Sequence, residues 1–441
     1  MNKFPIHEEI ARYTPMDEEA IGLKAFVVSD VHLNNHPENP DEDPHTPRPR
    51  NFWRFLTQLN KEVNPEDRVI LILNGDILDI TGSWTDDVMP WDTNRSAVIS
   101  AINETLSGIL ENNLAAVEEL QKILQHPNSE MIYVFGNHDG LLQHYPECQD
   151  VIRNYLSNRN AEIGQRIQFM EHYICPELNL YAAHGHLFDP FNRRLLPGEP
   201  PLGDVINILI VNRFVEVALR RLREEGYTDE LLARMRIRLH DIEYLRPLAL
   251  VPVWIQNLAH QFHNHPQSKG KTKAIDVILI DAIAEILSNP ATMKFLTERL
   301  HLPGRFLKLI ILSTIRLPAI LPVMSFLTSK IAKQGHSNKV QYKAAQKLYR
   351  GHGYRLIAFG HTHVPTVSPM SESAYYFNTG SWKPVINLFK FSKDPVELEY
   401  LNPEVQFNKV ERSGILRIFK PFNATHQPAE FSLQTVQSGL N

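Results

Sequence analysis

Cysteine is nearly absent: Cys148 and Cys175 are the only two in 441 residues. Two thiols cannot staple a chain this long, so a disulfide scaffold is excluded and a reducing, cytoplasmic setting is expected. An excess of positive charge is lacking as well. The formal net charge of -5 argues against general binding to nucleic acid. Residues 1–14 carry Glu8, Glu9 and Arg12 and no apolar run, so no secretory signal is expected there. No internal repeat is visible. Histidine, by contrast, is plentiful at 20 residues, and its meaning depends on position.

The patterning predicts an α/β fold interrupted by a helical insertion. Apolar runs at Ala25–Val28, Val69–Leu73 and Met131–Phe135 read as strands buried on both faces. Helices are expected over Phe52–Val63 and, as one long element, over about Arg95–Gln125. Residues 34–50, rich in Pro, Asn and acid, read as an irregular loop. Ile167–Ile174 and Leu178–Ala183 suggest a hairpin, and Tyr354–Phe359 and Ala374–Phe377 two later strands. A closing hairpin is expected from Gln406–Val410 and Ile415–Phe419 across Ser413-Gly414. The expected division is a lead (1–21), a first part of the main domain (22–203), a helical insertion or cap (204–350), a second part (351–423) and a polar tail (424–441).

Five apolar runs end in acidic, Asn or His residues: Asp30-Val-His32, Gly75-Asp76, Gly136-Asn137-His138-Asp139, His184-Gly-His186 and Gly360-His361-Thr-His363. Loops at the carboxyl ends of strands in an α/β sheet converge on one crevice. Each motif alone is weak: a lone Asp-x-His is common, and Gly-Asp after a strand is most often a turn. The closely spaced His pairs carry more weight. Together the five bring Asp, Asn and His to one place, a costly cluster to bury unless cations pair it. Two divalent cations would do so, and mixed N and O donors suit Mn, Zn or Fe. His36, His45, His144, His260, His263, His265 and His301 lack such context and read as surface residues.

The series D-x-H, GD-x-x-D, GNHD, HGH and GHTH resembles the calcineurin-like metallophosphoesterase superfamily, over about residues 22–200 and 352–400. GDILD and GHTHVP are similar to the branch that contains UDP-2,3-diacylglucosamine pyrophosphatase, with a longer insertion and with His138 where that branch has Arg. The resemblance implies an αββα sandwich and a hydrolase that cleaves a phosphoester or pyrophosphate with water held by a dinuclear metal centre. It implies that Asp30, His32, Asp76 and His363 hold one metal, and Asp76, Asn137, His184 and His361 the other. His138 is then the general acid, with Asp79 orienting it. His186 is expected to brace His184 or meet the phosphate, Asp139 to brace its loop, and Asn378 to shape the site floor.

The substrate expected is a nucleotide- or lipid-linked small molecule. A nuclease and a non-catalytic metal-binding scaffold are the alternatives. Phe306–Leu327 is strongly apolar, but Lys308, Arg316, Pro318 and Pro322 interrupt it. A buried helix pair is the first reading of that segment and peripheral membrane contact the second.

Overall fold

The structure is a computed structural model. It describes residues 11–13, 21–35, 49–84, 87–189, 192–193, 201–246, 254–255, 258–259, 262, 273–289, 338–387, 409–422 and 428–440. The chain divides into two compact units. The first comprises Met1–Pro201, Gly335–Pro384 and Glu411–Ser438, and the second Leu202–Gln334, Val385–Val410 and Gly439–Asn441.

The first unit opens with β1 (Ala11–Tyr13), β2 (Gly22–Val28), α1 (Arg50–Glu62) and β3 (Arg68–Asn74). Next come α2 (Arg95–Glu111), α3 (Leu114–Gln125) and β4 (Ser129–Val134). Three short helices follow, α4 (Leu141–His144), α5 (Gln149–Leu156) and α6 (Ala161–Gly164). They lead to β5 (Ile167–Met170), β6 (His172–Cys175) and β7 (Leu180–Ala183).

The second unit contributes α7 (Leu202–Ile206), α8 (Asn212–Glu224), α9 (Asp229–Leu239), β8 (Leu245–Arg246) and α10 (Ile275–Ile286). After it come α11 (Asn338–His352), β9 (Leu356–Phe359), β10 (Thr366–Ser371) and β11 (Ala374–Asn378). β12 (Gly380–Asn387), β13 (Lys409–Pro421) and β14 (Glu430–Leu440) complete the described elements.

One sheet runs β1-β14-β13-β2-β3-β4-β5, with β12 beside β13, and the other runs β10-β11-β9-β7-β6. β2, β3, β4 and β5 are mutually parallel, as are β7, β9 and β11. The period-2 alternation of strands explains the layering. Leu23, Ala25 and Val27 meet Leu180, Ala182, Leu356, Ala358 and Phe377 in the core between the sheets. Phe26 points the other way, its ring 6.4 Å from Phe55 of α1. In the second sheet, Ile357, Phe359 and Tyr376 face outward onto Ala345 of α11. α1 buries Phe52, Phe55, Leu56 and Leu59 along one face. The result is the expected αββα order.

The second unit has a core of its own, in which Phe214, Leu219 and Leu222 of α8 pack with Met235, Leu239, Ile278, Leu279 and Ile283. Among the described residues no helix is long and apolar enough to cross a membrane. Phe306–Leu327 lies outside the described residues, as do His36, His45, His260, His263, His265 and His301. His144 is exposed, as expected.

Five expectations need correction. First, the long helix over Arg95–Gln125 is two helices, broken at Asn112-Asn113. Asn112 Nδ2 donates to Asn35 O (3.2 Å) and Asn113 Nδ2 to Asn34 O (2.9 Å), so the break fastens the helices to the loop behind His32. Second, Ile167–Ile174 is not one strand. β5 pairs with β4, and the chain then crosses to the second sheet, where β6 and β7 form the hairpin.

Third, α11 belongs to the first unit and not to the insertion. Fourth, Ser413-Gly414 is no turn, because Lys409–Pro421 is one strand. The glycine serves close approach: a Cβ there would stand 3.1 Å from Thr379 O and 3.3 Å from Leu433 Cδ1. Fifth, the polar tail carries β14, which pairs with β13 and β1 and buries Phe431 and Leu433 on its inner face.

Candidate active site

The parallel strands of both sheets send their carboxyl ends to the same region, and the loops there are laced together by backbone hydrogen bonds. Asp30 N–H donates to Gly75 O at 3.0 Å, His32 N–H to Asp76 O at 2.9 Å and Asp79 N–H to Leu33 O at 2.7 Å. Gly360 N–H donates to His184 O at 2.9 Å and Trp382 N–H to Asp30 O at 3.1 Å. His361 N–H reaches both carboxylate oxygens of Asp30, at 3.1 and 2.9 Å. Loops that are separate in sequence thus act as one rigid floor.

The backbone at this floor is strained. Asp30, His32, Asp76, His361 and His363 all have φ between +53° and +72°, the left-handed region that side chains avoid. Such a conformation costs roughly 1–3 kcal/mol per residue and persists only where the surroundings impose it. All five are residues the sequence motifs singled out.

Among the described residues, three groups of His and Asp have ligand atoms within 4.8 Å of one another: Asp30–His32–His363, Asp76–His184–His361 and His32–Asp76–His138. His363 Nε2 lies 3.2 Å from Asp30 Oδ1 and 3.3 Å from His32 Nε2. His184 Nδ1 donates to Asn74 O at 3.0 Å, so its Nε2 lone pair faces Asp76 Oδ2 at 3.1 Å. A lone pair and a carboxylate repel unless a positive charge stands between them. Burial pulls the His184 imidazolium down, yet Asp76 and Asp30 overcome it and push the pKa up to about 10. That demand for positive charge, in a set of imidazoles and carboxylates, fits divalent cations. Among the described residues the buried Asn137 Oδ1 has no hydrogen-bond partner, again a donor atom suited to a cation.

His138 stands at the edge of these groups. Its backbone N–H donates to Asp76 Oδ1 at 2.8 Å, and its Nδ1 bonds Asp79 Oδ1 at 2.5 Å and meets Thr81 Oγ1 at 3.1 Å. Burial lowers its pKa, but the Asp79 and Asp76 carboxylates more than offset that and push it up to about 9. For Asp79, burial works against ionisation, and His138 and Lys383 together hold its carboxyl well below the usual range. His32 is the contrast, lowered to about 4, chiefly by burial.

The remaining candidates brace the site. Asp139 is buried: its Oδ2 accepts from Ile77 N–H (2.9 Å) and Tyr133 OH (2.8 Å), and its Oδ1 from Gly136 N–H (2.6 Å). Asn378, the last residue of β11, donates to Gly360 O at 2.6 Å and to Gln341 Oε1 at 2.9 Å, and accepts from Gly380 N–H at 2.9 Å. His186 opens a short turn, its ring 5.5 Å from that of His184. Gly136 must remain glycine, because a Cβ there would collide with Asp76 N and Oδ1 and come within 2.9 Å of its Cγ. Gly136→Ala is expected to cost about 1–3 kcal/mol of stability and to weaken metal binding. Thermal melts and a metal-to-protein ratio measured together check both effects.

Three residues escaped the sequence reading. Asp189 Oδ2 lies 3.0 Å from His361 Nε2, and Gln341 of α11 donates from Nε2 to Gly360 O at 3.0 Å. Lys383 of β12 donates from Nζ to Asp79 Oδ2 at 2.8 Å. None belongs to a spaced motif. The only signal was that Asp189 closely follows His184-Gly-His186.

The sequence model of the calcineurin-like phosphoesterase family matches residues 23–270. No curated protein matches the chain.

Proposed function

The chain belongs to the calcineurin-like phosphoesterases, hydrolases that act on phosphoesters with a dinuclear divalent metal centre, and from that premise we propose that its substrate is a nucleotide- or lipid-linked small molecule cleaved at a phosphoester or pyrophosphate bond. The observation that carries the catalytic part is Asp76, which is shared by two of the His–Asp groups and is hydrogen-bonded to the backbone of His138. The reading assigns Asp30, His32, Asp76 and His363 to one cation and Asp76, Asn137, His184 and His361 to the other. The chemistry that two such cations supply when bound is acidification of a water and neutralisation of charge on the phosphoryl oxygens.

The chain's own groups do the rest. His138, held through Nδ1 by Asp79, keeps Nε2 for the leaving oxygen and gives up its proton there. Asp189 fixes the ring of His361, and Asp139, Asn378 and Gln341 hold the loops that carry the ligands. His186 supports His184.

An apolar part of the substrate is suggested by Leu187 and Val364. These side chains are 47% and 44% exposed and follow directly on His186 and His363. The branch containing UDP-2,3-diacylglucosamine pyrophosphatase, which the GDILD and GHTHVP segments resemble, offers one such amphiphile. The second unit is assigned a part in substrate selection. The ground is the place of its largest segment in the chain, Leu202–Gln334, which enters after the His184 strand and ends before α11 and the His361 strand.

The test is metal-stripped protein resupplied with Mn, Zn, Fe or Mg and offered an aryl monoester, an aryl diester, plain and acylated UDP-sugars, cyclic nucleotides and single-stranded DNA. Turnover is expected only with added metal and is expected to be fastest on an acylated substrate. Single-stranded DNA as the best substrate would replace this reading with a nuclease. Bound metal without any turnover would replace it with a scaffold.

A further inference from the structure

Asp79 has more partners than the orientation of one histidine requires. Its Oδ1 takes His138 Nδ1 at 2.5 Å and Gly82 N–H at 2.9 Å, while its Oδ2 takes Lys383 Nζ at 2.8 Å and stands at the longer distance of 3.5 Å from His32 Nδ1. Lys383 and Asp79 are 304 residues apart, and their side chains are 7% and 0% exposed. Lysine is rarely buried, and an ammonium taken out of water is costly unless a carboxylate meets it. The neighbour Trp382 supplies the packing at this point of β12, with its ring 5.4 Å from Phe52 and 5.9 Å from Phe55. An apolar residue at 383 would spare the fold a buried charge. Lys383 is held in place by the strand itself: its N–H donates to Ser381 Oγ at 3.1 Å, and that hydroxyl donates to Asp30 O at 3.0 Å.

We infer that Lys383 is a positioning residue for hydrolysis, clamping one oxygen of Asp79 so that the other holds the His138 ring with Nε2 toward the leaving oxygen. This rests on His138 being the acid. A carboxylate gripped at one oxygen only can turn about its Cβ–Cγ bond and carry the imidazole with it. Gripped at both, it fixes the ring plane. In the step, a hydroxide oxygen forms a bond to phosphorus as the bond from phosphorus to the leaving oxygen breaks, its electron pair remaining on the leaving oxygen. The proton on His138 Nε2 moves to the oxygen and leaves a neutral imidazole whose Nδ1–H still meets Asp79. Asp79 remains a carboxylate, and Lys383 keeps its protons.

A group that acts only through the acid matters in proportion to how much the leaving oxygen needs a proton. A phenolate needs one and a 4-nitrophenolate scarcely does. The experiment therefore compares phenyl and 4-nitrophenyl esters, in whichever series the metal-loaded full chain turns over. Lys383→Met is expected to lower kcat on the phenyl ester by about 10–100-fold and on the nitrophenyl ester by less than about 3-fold, with KM and metal content unchanged. In a His138→Ala background the same change is expected to cost nothing further on the phenyl ester.

Equal losses on the two esters, or additive losses in the double variant, would overturn the role of Lys383. His138→Ala losing both esters equally would instead remove the acid on which the inference rests, so the two failures are distinguishable. If Lys383→Met does not fold, Lys383→Gln, which keeps a donor without the charge, is measured in the same way. A loss that does not depend on the leaving group would again overturn the proposal.

Discussion

Asp76→Ala is expected to leave a chain that retains neither cation and hydrolyses nothing above background. Asp76 is a member of two of the three His–Asp groups, faces His184 Nε2 at 3.1 Å and accepts the His138 backbone N–H at 2.8 Å. Its burial works against ionisation, yet His184 and His138 hold its carboxyl well below the usual range, so it is an anion throughout the working pH range. Removing it deletes the charge that both clusters share and frees the loop that presents His138. Loss of one preorganised electrostatic contact typically costs 10²–10³ in rate, and a shared ligand is expected to cost more than about 10³. Metal per chain and kcat/KM on the best panel substrate are the two readings. An active Asp76→Ala enzyme would sink the assignment of the site.

His138→Ala is expected to behave differently, keeping its metal while losing turnover by about 10²–10⁴, or about 3–5 kcal/mol of transition-state stabilisation. The fold tolerates this change for a reason visible at Asp79. With the imidazole gone, Lys383 Nζ still meets the carboxylate at 2.8 Å and Gly82 N–H still donates to it at 2.9 Å, so no buried charge is left bare. The melting temperature is expected to move little. The informative alternative is a variant that loses metal with the ring, because His138 also stands in a group with His32 and Asp76. That outcome would make His138 a ligand and leave the leaving group to another donor.

Much of this site was legible in the sequence because its chemistry sits on a regular scaffold. Val69–Leu73 announces a strand buried on both faces, and the polar residues directly beyond it have nowhere to go but the crevice at the strand end. Repeating that pattern at Asp30, Asn137, His184 and His361 exposed the constellation without any knowledge of distances. What stayed hidden were residues that belong to no spaced motif. Lys383 and Asp189 act through partners 304 and 172 residues away, and a single lysine or aspartate carries no spacing to read.

The errors of local structure have a common cause. Asn112-Asn113 breaks a helix because its side chains find carbonyls in another loop. Ser413-Gly414 continues a strand because its neighbours crowd it, and the tail forms a strand because β13 and β1 offer it edges. In each case the tertiary surroundings overrode a local preference. For β14 the alternation of Phe431 and Leu433 with polar residues was present, but it was masked by the polar composition around it.

The order of strands also sets a timetable for synthesis. β7 presents the edge that β9 later occupies, yet about 170 residues separate the two, which at 5–20 residues per second is roughly 9–35 s of ribosome time. β2 waits longer still for β13. During that interval a nascent chain bearing β2 to β7 shows two apolar strands with unpaired edges, the surfaces on which chains aggregate. His361, His363 and Lys383 emerge only at the end of it. The candidate metal site is therefore completed only late in synthesis.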